Sequence, residues 1–256
     1  MPHSVLARVL RQLRRVPAQR GAETLTDGQL LERFASARDE AAFAALLDRH
    51  GRMVWNVCRR VLVNTTDADD AFQATFLVLV KKASAIAKQD SVGSWLHGVA
   101  YRIALKVRSA TKPSTPPSAE PAAPNTDPLE AMSGRELLMA LDEELQRLPA
   151  PYRVPLVLCY LEGNTRDEAA RQLGWSLAML GRRLEVGRQR LRLRLSRRGV
   201  TLPLALFTVA LEQSVCSATI RPALFTATLE LALGFLPGKG TPPAVPRNVA
   251  ALTCTP

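Results

Sequence analysis

"LEGNTRDEAARQLGWSLAMLGRRLEVGRQRLRLRLSRR", residues Leu161 to Arg198, contains two helix starts separated by a glycine. Thr165 and Glu168 have the S/T-x-x-E spacing of a capping box, in which each residue satisfies a backbone donor near the helix start. Ala169 and Ala170 are small enough to let a second helix cross closely. Gly174, between Leu173 and Trp175, can take the positive φ that a tight helix–helix turn requires. Ser176 can cap the next helix, and Leu177, Leu180 and Leu184 give that helix a buried face. This is the layout of a helix-turn-helix. The run "RLRLRL" alternates with period two as a strand would. Leu180, Leu184, Leu191 and Leu195 nevertheless keep a helical face, so the spacing predicts a helix.

The second helix of the pair presents Ser176, Ala178, Met179, Arg182, Arg183 and Glu185 near its start, followed by Arg188. Arginine can contact guanine edges in bidentate fashion and phosphates by charge. Arg182 to Arg198 carries eight arginines against one acid, Glu185. Apart from Glu185, these residues are the candidate duplex-reading set, and a plain α-hairpin with a solvated basic face is the alternative. The arginines beyond Arg188 are expected to grip phosphates or a protein partner rather than to specify bases. Gly181 and Gly187 are each expected to weaken the helix by about 1 kcal/mol relative to alanine.

The remaining composition agrees with a polyanionic partner. The 256 residues include 34 Lys+Arg against 23 Asp+Glu, a formal net charge of +11. That balance points to nucleic acid or an anionic membrane surface. Cys58, Cys159, Cys216 and Cys254 lie far apart, and His3, His50 and His97 form no ligand cluster with them. Neither a zinc site nor a disulfide framework is expected, no cofactor is implied, and a reducing cytoplasm is the natural location. Residues 1–24 read as a basic N-terminal arm, either a short amphipathic helix or disordered, without the apolar core of a signal peptide.

Thr111 to Pro128 holds six prolines in eighteen residues, the composition of an extended linker. It divides the chain into a unit at 25–110, a unit at 129–198 and an apolar extension at 199–256. The first unit is helical almost throughout. Thr26 or Asp27 can cap a helix carrying Leu30, Leu31 and Phe34. Phe43, Leu46, Leu47, Val54, Val57, Val61 and Leu62 recur at spacings of three and four. A third helix opens on acids in "NTTDADDAFQATFLVLVKKA", and a fourth resumes after Gln89-Asp90. In the second unit an amphipathic helix stops at Pro149, and a short helix is expected over Pro151 to Leu161. The fold class is all-α, two helical domains joined by a Pro-rich linker.

The stretches "AFAALLDRHGRMVWNVCRRVL", "DADDAFQATFLVLVKKA", "SWLHGVAYRIAL" and "LQRLPAPYRVPLVLCYLEGNTRDEAARQLG" occur in that order. With them the chain resembles a bacterial sigma-70-type transcription initiation factor of the extracytoplasmic-function group. The resemblance covers roughly residues 25–198. It implies that the first unit, region 2, binds the β′ clamp helices of core RNA polymerase and opens the −10 promoter element. It implies that the second unit, region 4, binds the β flap and reads the −35 element. Asp69, Asp70, Gln73, Thr75 and Phe76 match the polymerase-binding helix, with Phe72 assigned to the core. Trp95, Tyr101, Arg102 and Lys106 match the −10 segment, where aromatics stack on exposed bases and cations track phosphates. Trp95 also falls on the apolar stripe, and His97 reads as a surface residue. The chain departs from the family at Gly181-Arg182-Arg183, where a Lys-Ser-Arg-like run is common, and at Glu185.

Within the extension, Thr201 to Phe235 is interrupted by Glu212, Arg221 and Glu230, which disfavours a membrane span. Pro203 and Pro222 suggest two helices. They could form a hairpin covering the second domain, a regulatory docking element or a membrane-associated segment. The last twenty residues read as disordered. Three functions compete: a sigma factor with core polymerase, promoter DNA and an anti-sigma factor as partners; a dimeric helix-turn-helix regulator; and an enzyme with metal ligands among the acids of 67–70. The acids of 67–70 lie in one helical turn without histidine partners, so the sequence favours a non-enzyme without a metal.

Overall fold

The computed structural model describes residues 25–86, 91–110, 134–200 and 220–234. The expectations for the N-terminal arm, for the Pro-rich linker, for residues 201–219 and for the C-terminal end lie outside these residues. Every regular element among the described residues is helical. Helices α1 (Asp27–Ala37), α2 (Glu40–Val61), α3 (Thr65–Ile86) and α4 (Val92–Ala110) form the first unit. Helices α5 (Gly134–Gln146), α6 (Ala150–Leu156), a π-helical turn Val157–Leu161, α7 (Arg166–Leu173) and α8 (Leu177–Ser196) form the second. Helix α9 (Pro222–Gly234) follows.

Short polar side chains set the starts of the first unit's helices. Thr26, not Asp27, caps α1: its Oγ1 accepts from Gln29 N at 3.3 Å, while Gln29 Oε1 accepts from Thr26 N at 2.9 Å. Asp39 caps α2 through Ala41 N and Ala42 N, and Asn64 opens α3 by accepting from Thr66 N. Between these helices the apolar stripes converge on four buried rings. Phe34 meets Phe43 at 4.8 Å between centroids, Phe43 meets Phe76 at 6.3 Å, and Phe76 meets Phe72 at 5.0 Å. Burying each ring contributes about 1.5–3 kcal/mol, so this cluster is the energetic centre of the unit.

The second unit departs from its sequence reading at its second helix. The expected helix over Pro151 to Leu161 begins at Ala150 and changes register after Leu156. Pro155 has no N–H to return to the preceding turn, and the ladder loosens beyond it. Glu162 N then donates to Val157 O at 3.1 Å, the i→i−5 bond of a π turn. In α8, Leu191 and Leu195 are buried while Leu193 is exposed, which is the helical period rather than a strand's.

The glycines of α8 are not equivalent. A Cβ on Gly181 would meet open space, whereas one on Gly187 would lie 3.1 Å from both Leu156 Cδ1 and Tyr152 O. Gly187 is the point at which α6 and α8 approach each other, so its low helix propensity is offset by packing. Gly181 has no such offset.

Candidate nucleic-acid interface

The helix pair at 165–196 has the local chemistry its spacing predicts. Thr165 Oγ1 accepts from Glu168 N at 3.3 Å, and Glu168 Oε2 accepts from Thr165 N at 2.8 Å. The hydrogen bonds from Thr165 hold the Glu168 carboxyl below its ordinary range. Gly174 ends α7 at φ 65°, and Trp175 N donates back to Ala170 O at 2.9 Å. Ser176 Oγ accepts from Met179 N at 3.2 Å and so starts α8. Leu180 and Leu184 turn inward, whereas Leu177, expected on the same buried face, is exposed. Ser176, Ala178, Met179 and Arg182 stand together on the exposed side of the first turns.

Four other arginines of α8, and Arg198 just beyond its end, have partners within the chain, while Arg192 is exposed. Arg183 stacks on the Trp175 ring with its guanidinium carbon 4.0 Å from the centroid. Arg188 bonds Tyr160 Oη at 3.1 Å and pairs with Glu185, which neutralises the unexpected acid of this helix. Arg190 lies over the Tyr152 ring at 4.2 Å. Arg194 and Arg198 pair with Glu144 and Glu143 of α5. Of the arginines beyond Arg188, expected to grip phosphates or a protein partner, Arg190, Arg194 and Arg198 engage α5 and α6 of this chain instead.

The −10 candidates lie along α4, at its junction with the second unit. Arg102 and Lys106 are exposed, Trp95 is half-buried, and Tyr101 is buried. Trp95, Tyr101 and Arg102 line a cleft of about 360 Å³ closed from the other side by Glu143, Gln146, Arg147 and Arg153. Burial, reinforced by Glu143 and Asp142, raises the Tyr101 hydroxyl above its ordinary pKa. His97 is not a surface residue. It is fully buried, 2.9 Å from Asp142 Oδ1 through Nε2 and bonded to Gln146 through Nδ1.

On α3, Asp69, Asp70 and Gln73 are half-buried at the helix surface. Thr75 and Phe76 are fully buried: the Thr75 hydroxyl donates to Ala71 O at 2.8 Å, and Phe76 belongs to the ring cluster. The structure brings Asp69, Asp70 and Gln73 to one face and places Thr75 and Phe76 behind it, as it does Phe72.

Two buried polar clusters join the units, and sequence reading singled out neither. In one, the Arg60 guanidinium holds Asp142, which also meets His97; burial alone would raise the Asp142 carboxyl, but the Arg60 charge and the hydrogen bond with His97 keep it below its ordinary range. In the other, His50 lies 3.0 Å from Asp27 Oδ2 and 2.7 Å from Glu162 Oε1, with Arg49 and Gln172 also on Asp27. Burial disfavours the His50 cation, yet Asp27 and Glu162 push its pKa up to about 10. A signal was available in both cases. His50 occupies the apolar stripe running Phe43, Leu46, Leu47 and Val54, and Asp142 lies three residues before Leu145 on the inner face of α5. A charge at a core position calls for a buried partner.

Cys58 and Cys159 are free thiols that burial pushes up to about 12 and about 11, so both stay protonated. Among the described residues no three His, Cys, Asp or Glu side chains converge to hold a metal ion, and no helix is long and apolar enough to cross a membrane.

Comparison with known families gives two matches in chain order. The model of sigma-70 region 2 matches residues 46–111, and that of sigma-70 region 4 matches residues 138–191. Among curated relatives, the ECF RNA polymerase sigma factor SigE of Mycolicibacterium smegmatis is 28% identical over 62% of this chain. The match spans 65% of that relative's length, a little under two thirds. SigM of Mycobacterium tuberculosis is 29% identical over 60% of this chain and 76% of its own length. SigK of Mycobacterium sp. (strain KMS) is 30% identical over 63% of this chain and 87% of its own length. A self-sufficient dimeric regulator would need only the helix-turn-helix, and the region 2 match disfavours it. With both regions present, in order, on two docked helical units, the chain belongs to the extracytoplasmic-function group of the sigma-70 family of RNA polymerase sigma factors.

Proposed function

We propose that this chain binds core RNA polymerase in the cytoplasm and directs it to promoters, with α8 reading the −35 element and α4 engaging the −10 element. Sigma factors are non-catalytic initiation factors, so the chain contributes recognition rather than bond-making. The observation that carries the reading is the first turns of α8, capped by Ser176, with Ala178, Met179 and Arg182 exposed together on a helix held from behind. A rigid helix start with an arginine and apolar side chains can meet guanine edges and thymine methyl groups in the major groove. Arg183 is partly committed to Trp175, and Arg188 acts on DNA indirectly by fixing α8 to Tyr160.

On α4, Arg102 and Lys106 supply phosphate contacts, while Trp95 and Tyr101 supply stacking surfaces that open as α5 moves away. Asp69, Asp70 and Gln73 form the polymerase-facing surface of region 2, toward the β′ clamp helices, and region 4 meets the β flap. Thr75 and Phe76 support that surface from the core. An anti-sigma factor is a further partner, to be sought by co-purification from the native cell. Transcription from a promoter library with purified core polymerase tests the whole reading. Promoter-specific transcripts that require this chain support it, and tight promoter binding without association to core enzyme would overturn it.

A further inference from the structure

Helix α9 does not cover the second domain, one of the arrangements the sequence suggested. It packs on α2 and α3 of the first unit, beside the surface that carries Asp69. Leu224, Leu229, Leu231 and Ala232 are buried, and Thr228 satisfies its hydroxyl on Leu224 O at 2.7 Å. Ahead of the helix, the Ile220 side chain lies close against Gly51, where Phe72 also approaches. Arg221 pairs with the Asp69 carboxylate and sits 5.6 Å from the Trp55 ring centroid.

From these contacts we propose that residues 220–234 are a tethered cap on region 2 that occupies the polymerase-binding surface, so that core polymerase binds only when the cap leaves. The inference rests on the assignment of Asp69, Asp70 and Gln73 to that surface. The cap also indicates what the surface accepts: an apolar helix face led by a cation that reaches Asp69. Polymerase competing for the site must present similar chemistry. A cap closed nine-tenths of the time lowers apparent affinity about tenfold without altering the intrinsic contact.

The test measures binding of purified core polymerase to the full chain and to two variants. Leu224→Asp puts a charge into the buried face of the cap, so the cap should open fully and binding should tighten about tenfold. Arg221→Ala removes only a half-exposed pair, so tightening of no more than about threefold is expected. Thermal unfolding of both variants should retain the transition of the α1–α4 core. Hydrogen exchange gives a second readout: wild-type residues 222–234 should lose protection when core polymerase binds. Unchanged or weaker binding by Leu224→Asp, or retained protection of 222–234 in the complex, overturns the cap. Gln73→Ala separates the two assignments. If it weakens core binding while the cap variants do nothing, the cap alone fails; if it has no effect, the surface assignment fails and the cap with it.

Discussion

Arg60 on α2 and Asp142 on α5 form a two-pronged ion pair across the junction of the two units, Nε to Oδ2 at 2.7 Å and Nη2 to Oδ1 at 2.9 Å. Asp142 is fully buried and Arg60 nearly so, with His97 completing the cluster. Removing one partner of such a pair leaves an uncompensated charge, which typically costs about 3–5 kcal/mol. Asp142→Ala should therefore lower stability by about that amount in urea unfolding. A loss below about 1 kcal/mol would show that water reaches the junction and that the pair is not buried in solution.

His50 gives the junction a pH dependence of known sign. Its ordinary pKa of 6.5 is raised to about 10 in the folded chain, so its contribution is complete below about pH 6.5 and is lost as pH rises through about 10. Asp27 acts in the opposite sense. Burial would raise its carboxyl, but His50 and Arg49 hold it at about 2, so its contribution is present above about pH 4 and lost as pH falls through about 2. The urea midpoint should fall between pH 7 and pH 10, and His50→Gln should flatten that slope. A slope unchanged in His50→Gln would assign the dependence to other groups.

The two glycines of α8 should respond in opposite directions to alanine. Gly181→Ala adds a methyl group in open space and should stabilise by up to about 1 kcal/mol. Gly187→Ala drives a methyl group toward Leu156 and the Tyr152 carbonyl, and should destabilise by about 1–3 kcal/mol. Thermal unfolding of the two variants side by side checks the difference in sign.

Arg182 and Arg183 are adjacent but should not be equivalent. Arg182 is exposed at the start of α8, so Arg182→Ala should weaken −35 duplex binding by about 1–3 kcal/mol and leave core polymerase association intact. Arg183→Ala should cost less in DNA affinity but also loosen the turn, because it removes the stack on Trp175. Titrations of −35 duplex at two salt concentrations, with core binding measured in parallel, separate the two. Equal loss of core association would identify structural damage instead.

Local structure was legible because local chemistry decides it. The Thr165–Glu168 box, the Gly174 turn and the Ser176 cap each need only a few neighbouring residues, and each forms as its spacing predicts. The helical stripe of Phe43, Leu46 and Leu47 was equally plain. What escaped the sequence is contact between segments far apart in the chain. The burial of His97 depends on Asp142, and the π turn after Pro155 on a change of hydrogen-bond register. The site on which α9 rests depends on a surface more than 140 residues earlier in the chain, Asp69 meeting Arg221 at a separation of 152. Periodicity marks a face as apolar without naming what will cover it. The arginines of 182–198 show the same limit, since composition counts charges but not the glutamates of α5 that engage Arg194 and Arg198.

The docking of α4 against α5 has a consequence for how strongly this factor can hold a promoter. If α4 engages the −10 element as proposed, Tyr101 and the cleft beside Trp95 are shared between that DNA contact and a wall supplied by the second unit. Whatever free energy keeps that wall in place would then be subtracted from every −10 encounter, whichever promoter is engaged. Substitutions at Arg60, Asp142 or His50, none of which reaches a base, would then scale transcription from all target promoters together. The junction would act as a gain control, while the list of promoters would stay with α8.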